Sequence, residues 1–285
     1  MTTFALALVL AAACCHTTWN FLVKRINGGP ELLWLLSLIS TPIFLPLAIG
    51  SIVYKEPDLG WYEIAFCVGS ALIHTAYFLL LQQGYRRGDL SLVYPTARAT
   101  GPFLSTIFAV LVLGEHMTVQ IAAGGLAIVI GIVFLTGGFN VRGGHATRSL
   151  LFGLAVGCLI GSYTVWDAYT VRTLLVSPLV LEYTTILMRL VILSPYAMRR
   201  KDLVAHHWRE HRLAVIAIAI IGPLAYILVL VALVFTPVVY VAPVREVSVL
   251  FTVMLGTLLL GEGDFKRRMG WAGLILAGMV LLALS

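Results

Sequence analysis

Residues 240–251 read YVAPVREVSVLF and set Arg245 and Glu246 side by side in a run that holds no other charge from Val238 to Leu260. That run is long enough to cross a bilayer. A charge at the centre of a spanning helix costs about 2.5–3.5 kcal/mol on insertion scales, so two together need partners or a task. Shifting the chain by 147 residues gives this stretch a relative: Arg98 falls on Arg245, Gly114 on Gly261, Glu115 on Glu262 and Gly131 on Gly278. Between 94–115 and 241–262 only 5 of 22 positions are identical. The same offset, however, sets His16 on Tyr163, Thr17 on Thr164, Trp19 on Trp166 and Arg25 on Arg172. One shift serving both ends of a unit marks an internal duplication, although Tyr77 and Tyr226 register only at 149.

The composition places this unit in lipid. The 285 residues are 60% hydrophobic and 11% charged, with a mean hydropathy of +0.98. A soluble domain carries about 25% charged residues. The net charge of +6 does not point to nucleic acid, because the cations fall in short connections between apolar runs. Cys14, Cys15, Cys67 and Cys158 all lie within apolar runs and none has a CxxC partner, so neither a disulfide framework nor a metal site is indicated.

Apolar runs near 20 residues predict ten spans, at about 4–23, 31–53, 61–83, 90–113, 118–137, 150–170, 178–198, 213–235, 237–260 and 269–285. Lys24 and Arg25 follow the first run and no basic residue precedes it, so it reads as a helix rather than a cleaved signal. The odd-numbered connections hold 14 of the 19 Lys and Arg. By the positive-inside rule these connections are cytoplasmic and both termini face outward. Five helices is an odd number, so the second copy enters the membrane from the opposite side. The expected fold is all-α and integral to the plasma (inner) membrane: ten transmembrane helices as two inverted five-helix repeats around a central cavity, at 1–137 and 150–285, with 138–149 as a cytoplasmic linker.

Arg98 lies 8 residues into the fourth span and Arg245 8 residues into the ninth, each about 12 Å deep from opposite faces at 1.5 Å per residue. Both follow a proline, Pro95 and Pro243, and proline frees a carbonyl that protein or cavity water must satisfy. They are expected to face a shared cavity near the midplane. The competing reading is an ion pair that locks two helices. Glu246 is about 100° around the helix from Arg245, a poor partner, and could instead reach Arg98 or Arg189. Further candidates to line a substrate path are Tyr94, Tyr240, His16, Trp19, His74, Tyr77, Tyr163, Trp166 and Arg189. Belt tryptophans and packing tyrosines are the bland alternative for several of them. Asp167 and Glu246 are the candidates for coupling to a proton. Glu182 sits two turns before Arg189, too far for direct contact. Glu115 and Glu262 each follow a glycine where a span stops, and fit a carboxylate at the positive end of the next helix. Ala127 with Gly131, and Gly273 with Ala277, have the one-turn small-residue spacing of close helix packing. His207 and His211 in HHWREH (206–211) are four apart, but lie in the most basic connection and read as solvated charge.

HTTWNFLVK (16–24), the proline-containing fourth span running into LVLGE (111–115), LLLGE (258–262) and the glycine-rich fifth and tenth spans resemble the drug/metabolite transporter superfamily, in its ten-helix EamA-like branch. The resemblance covers essentially the whole chain. It implies two inverted five-helix halves around a central cavity and solute transport, with substrates ranging over amino acids, sugars, nucleotides and drugs. The HxxWN-type first helix is similar to that of transporters linked to phosphonate use.

The leading expectation is therefore a secondary transporter working by alternating access, partnered by a small-molecule substrate, the lipid bilayer and a coupled proton. Mid-depth arginines favour a carboxylate, phosphate or phosphonate, because guanidinium binds these groups bidentately; Glu246 extends this to zwitterions such as amino acids. Efflux of lipophilic cations on Glu246, Asp167 and the aromatics is the rival. An intramembrane enzyme is the third reading, and HExxH, GxSxG and a Walker sequence are all missing from the chain. No cofactor is expected.

Overall fold

A computed structural model describes residues 3–55, 60–112, 118–135, 144–235 and 245–283. Tyr240, Pro243 and Glu115 lie outside the described residues. Within them are ten helices: α1 (Thr3–Ile26), α2 (Pro30–Lys55), α3 (Trp61–Arg87), α4 (Leu90–Val112), α5 (Val119–Leu135), α6 (Gly144–Arg172), α7 (Pro178–Met198), α8 (Lys201–Phe235), α9 (Ser248–Leu259) and α10 (Phe265–Ala283). Six of them, α1, α2, α3, α6, α7 and α8, are long and apolar enough to cross a membrane, while α5 and α9 are apolar but shorter.

The largest departure from expectation is at α8. Its first turns occupy the basic stretch 201–212, which composition marks as a loop. Leu203, Val204 and Trp208 are interleaved with the charges there, so the segment is amphipathic and helical, and it breaks at His211 (φ −128°, ψ 24°) before the apolar run begins. His207 is not solvated. It is buried, with Nε2 3.4 Å from Glu31 Oε1 at the start of α2. Similarly α6 begins at Gly144, within the stretch expected as a linker.

Pairing follows the sequence duplication. α1 packs on α8 and α9, while its copy α6 packs on α3 and α4, the copies of those two helices. α2 packs on α7, α4 on α9 and α5 on α10, so each of these helices meets its own copy. The exchange holds at atomic detail between α5 and α10. A Cβ on Gly131 would lie 2.5 Å from Ile275 Cγ1 and 3.2 Å from the Trp271 carbonyl. A Cβ on Gly278, the counterpart, would lie 2.9 Å from Ile128 Cγ1 and 2.7 Å from the Gly124 carbonyl. Gly273 and Ala277 do not make this seam: Gly273 faces open space and Ala277 is exposed. A second seam joins α6 to α4. Gly153 and Gly157, one turn apart, sit against Thr96 and Thr100, and Gly161 meets Gly101.

Two local devices fix the helices that carry the site. Pro223 lacks the N–H that would reach the Ala219 carbonyl one turn back, and Ser40 Oγ on α2 donates to that carbonyl at 2.7 Å. After α9 the chain turns through Gly261, whose φ of 68° suits glycine. The turn aims Glu262 at the start of α4, where its carboxylate accepts the N–H groups of Leu90 and Ser91, both at 2.9 Å. Glu262 thus caps the helix of the other repeat and not the one that follows it; Asp264 caps α10 by accepting Arg267 N–H at 2.7 Å.

Candidate functional site

The opening pair finds its partner across the duplication. Arg98 on α4 donates from Nε to Glu246 Oε2 at 3.0 Å and from Nη2 to Glu246 Oε1 at 2.7 Å, a bidentate fork. Arg245 Nε also donates to Glu246 Oε1, at 3.3 Å. The expectation that neighbours in sequence would not meet fails because 246–247 form a turn ahead of α9 rather than helix. One carboxylate therefore answers two guanidinium groups. Arg98 is 6% exposed and Glu246 2%. Both arginines bear electrostatically on His16, Tyr77 and Tyr163, and Tyr94 Oη lies 3.0 Å from Ser248 Oγ beside the same turn. His16 is itself occupied by Trp19, whose Nε1 donates to His16 Nδ1 at 3.2 Å.

A second cluster centres on Asp167 of α6. Ser70 Oγ donates to Oδ1 at 2.5 Å, while His74 Nε2 at 2.7 Å and Tyr226 Oη at 2.5 Å donate to Oδ2. Rings extend this cluster towards the arginines: His74 stacks on Tyr163 at 4.1 Å between centroids, and Tyr77 meets Tyr163 edge-on at 5.3 Å. Beyond this lies a cavity of about 30 Å³, lined in part by Trp19, Phe78, Glu182 and Arg189. Arg189 Nε donates to Ser37 Oγ at 2.7 Å, and its guanidinium lies 4.4 Å over the Phe78 ring. Neither Arg98 nor Arg245 lines that cavity. Trp166 departs from its counterpart Trp19. It lies against α3, donating to the Phe66 carbonyl at 2.8 Å in a groove that Gly69 leaves open.

A family model described as the EamA-like transporter family matches twice, at residues 3–137 and 147–284. The chain belongs to the EamA-like transporter family. That family lies within the drug/metabolite transporter superfamily and consists of membrane transporters of small molecules. A solved structure described only as a crystal structure of a protein shares 16% identity over 98% of each chain, with a TM-score of 0.59, a likeness in fold. Among the described residues of this EamA-like protein, no group of three His, Cys, Asp or Glu gathers to hold a metal.

The sequence therefore pointed at Arg98, Arg245, Glu246, Tyr94, Tyr77, Tyr163, His74 and His16, which the fold gathers into one connected polar region. Arg189 and Trp19 line the neighbouring cavity, Trp166 packs away from it, and Tyr240 is outside the described residues. Ser70 and Ser37 carried no signal, since a serine in a membrane helix usually bonds its own backbone. Tyr226 was legible as the repeat partner of Tyr77 and, like the other interior tyrosines, as a ring able to stack on or hydrogen-bond a solute.

Proposed function

We propose that this EamA-like protein is a secondary transporter that works by alternating access on a small metabolite bearing a carboxylate, phosphate or phosphonate, zwitterions such as amino acids included. The observation that carries the reading is the shared Glu246. A buried guanidinium group, Arg98, and a part-buried one, Arg245, with one carboxylate between them hold an excess positive charge. Desolvating an unmatched cation is costly, and a bound anion offsets that cost with bidentate hydrogen bonds. The contacts exchanged under the 147-residue shift support a pseudo-twofold arrangement of two five-helix halves, 1–137 and 150–285, inverted across the bilayer with ten crossings. The loop charges support cytoplasmic odd-numbered connections and a plasma (inner) membrane location.

Efflux of a lipophilic cation has one observation in its favour, the aromatic rings around Asp167. Against it, the Asp167 carboxylate already accepts three donors. Uptake into proteoliposomes, tested with acidic, zwitterionic and cationic solutes, separates the readings. Arg98→Ala and Arg245→Ala are expected to lower uptake of the acidic or zwitterionic substrate at least tenfold, and Arg245→Lys to restore only part of it. Unchanged uptake in both alanine variants overturns the anion reading.

A further inference from the structure

The cavity between α1, α2, α3, α7 and α8 holds two charged ends that do not meet. Glu182 and Arg189 both line it, but they stand seven residues apart on α7, about 10.5 Å along the axis. Arg189 engages Ser37 and the Phe78 ring. Among the described residues no hydrogen bond from protein reaches the carboxylate of Glu182, which is 6% exposed and lines the cavity. The other buried acids nearby differ. Glu246 is held by two guanidinium groups, and Asp167 is in hydrogen-bond contact with Ser70, His74 and Tyr226. A cavity-lining carboxyl group with no protein donor is left to be answered by water, a proton or a mobile cation.

We propose that Glu182 is the proton-binding site that couples transport to a proton gradient, a reading that rests on the transport function proposed above. With the cavity open to one side, hydronium gives its proton to a Glu182 oxygen and leaves as water. With the cavity open to the other, the same O–H bond breaks to a water there. The charged and titratable groups around it are few. His74 from α3, Asp167 from α6 and Arg189 from α7 itself bear on Glu182, and Tyr226 of α8 is tied to Asp167. α1 and α2 present only Trp19, Val23, Leu33, Leu36 and Ser40 to the cavity. A cavity of about 30 Å³ has room for about one water, enough to hand over a proton and too little for a solute. Gly222 and Pro223 of α8 line the cavity at the same level, and Pro223 leaves one main-chain hydrogen bond of that helix unmade.

The test uses the full-length protein and two readouts. In infrared pH-difference spectra of the reconstituted protein, a protonated-carboxyl band that responds to pH is expected to vanish in Glu182→Gln and persist in Glu246→Gln and Asp167→Asn. A band unaffected by Glu182→Gln, or no such band in the wild type, overturns the proposal. In proteoliposomes with L-alanine, L-glutamate and aminomethylphosphonate as probes, Glu182→Gln is expected to lose accumulation driven by a pH gradient at least tenfold while probe counterflow continues. Accumulation that survives the substitution also overturns it. If no probe is carried by the wild type while the Glu182 band behaves as stated, the substrate reading fails and the proton site stands.

Discussion

Replacing Glu246 by glutamine keeps the shape of the side chain and removes its charge. Arg98, buried on α4, would then face an amide whose nitrogen side repels it, and Arg245 would lose the same counter-charge. Breaking a buried ion pair by removing one member costs about 3–5 kcal/mol. Glu246→Gln is therefore expected to lower the melting temperature of the detergent-purified protein by several degrees, whereas Arg98→Met combined with Glu246→Leu recovers the share that belongs to Arg98 and leaves the share of Arg245 lost. A cycle of single and double variants measures the coupling directly, and a Glu246→Gln protein as stable as the parent would remove the pair from the account. At this scale the sequence was informative about which residues matter and poor at saying what they touch. A charge in an apolar run is conspicuous because lipid penalises it. Its partner depends on helix rotation, and the turn at 246–247 cannot be foreseen from residue spacing. Glu182 shows the same limit, since its cavity is assembled from five helices and no local pattern announces it.

Helices whose bounds follow an apolar run with turn residues at its ends recovered well, and α7 begins and ends where expected. Faces recovered less well. Small residues one turn apart say that a backbone can approach, not from which side, so Gly273 and Ala277 looked like a seam while the contact uses Gly278 and, on α5, Gly124 and Gly131. The seam of α6 on α4 uses glycines at 153, 157 and 161, four residues apart, and offers a sharp comparison. A Cβ on Gly157 would fall 2.4 Å from Thr100 Cβ and 2.7 Å from the Ala97 carbonyl, whereas one on Gly161 would find Gly101 Cα at 3.7 Å. Forcing a methyl into the first place costs about 1–3 kcal/mol; the second is ordinary contact. Gly157→Ala is expected to lower thermal stability clearly and Gly161→Ala to leave it within about 0.5 kcal/mol of the parent. Because α4 carries Arg98, Gly157→Ala should also weaken uptake. Equal effects at the two sites would mean that α6 is free to slide along α4.

The duplication is the feature that sequence carries best at the scale of the whole molecule, since one offset relates helices whose packing partners then exchange in the same way. What it could not carry is how the halves are fastened, because that is done by side chains at helix ends. Arg268, just inside α10, donates from Nη2 to Asp89 Oδ2 at 2.7 Å and from Nη1 to Ser91 Oγ, while His145 of α6 lies 2.9 Å from Asp89 Oδ1. Lys24 of α1 adds bonds to the Tyr85 and Gly88 carbonyls at 2.5 and 2.6 Å. These contacts tie five helices from both repeats at the face where the basic loops gather. Burial pushes the Asp89 carboxyl up, but the hydrogen bonds and charges of Arg268 and His145 outweigh it and hold the group below its usual value. A carboxyl lowered on folding contributes stability that is complete above its unfolded value, about 3.9, and is lost as pH falls through its folded one. Asp89→Asn is accordingly expected to melt at a lower temperature than the parent at neutral pH, with the gap closing as the pH is brought below about 4. A thermal-denaturation series across pH in detergent reads this directly. A gap that stays constant into acid would assign the loss to shape rather than charge, and leave Arg268 and His145 without a part in holding the repeats together.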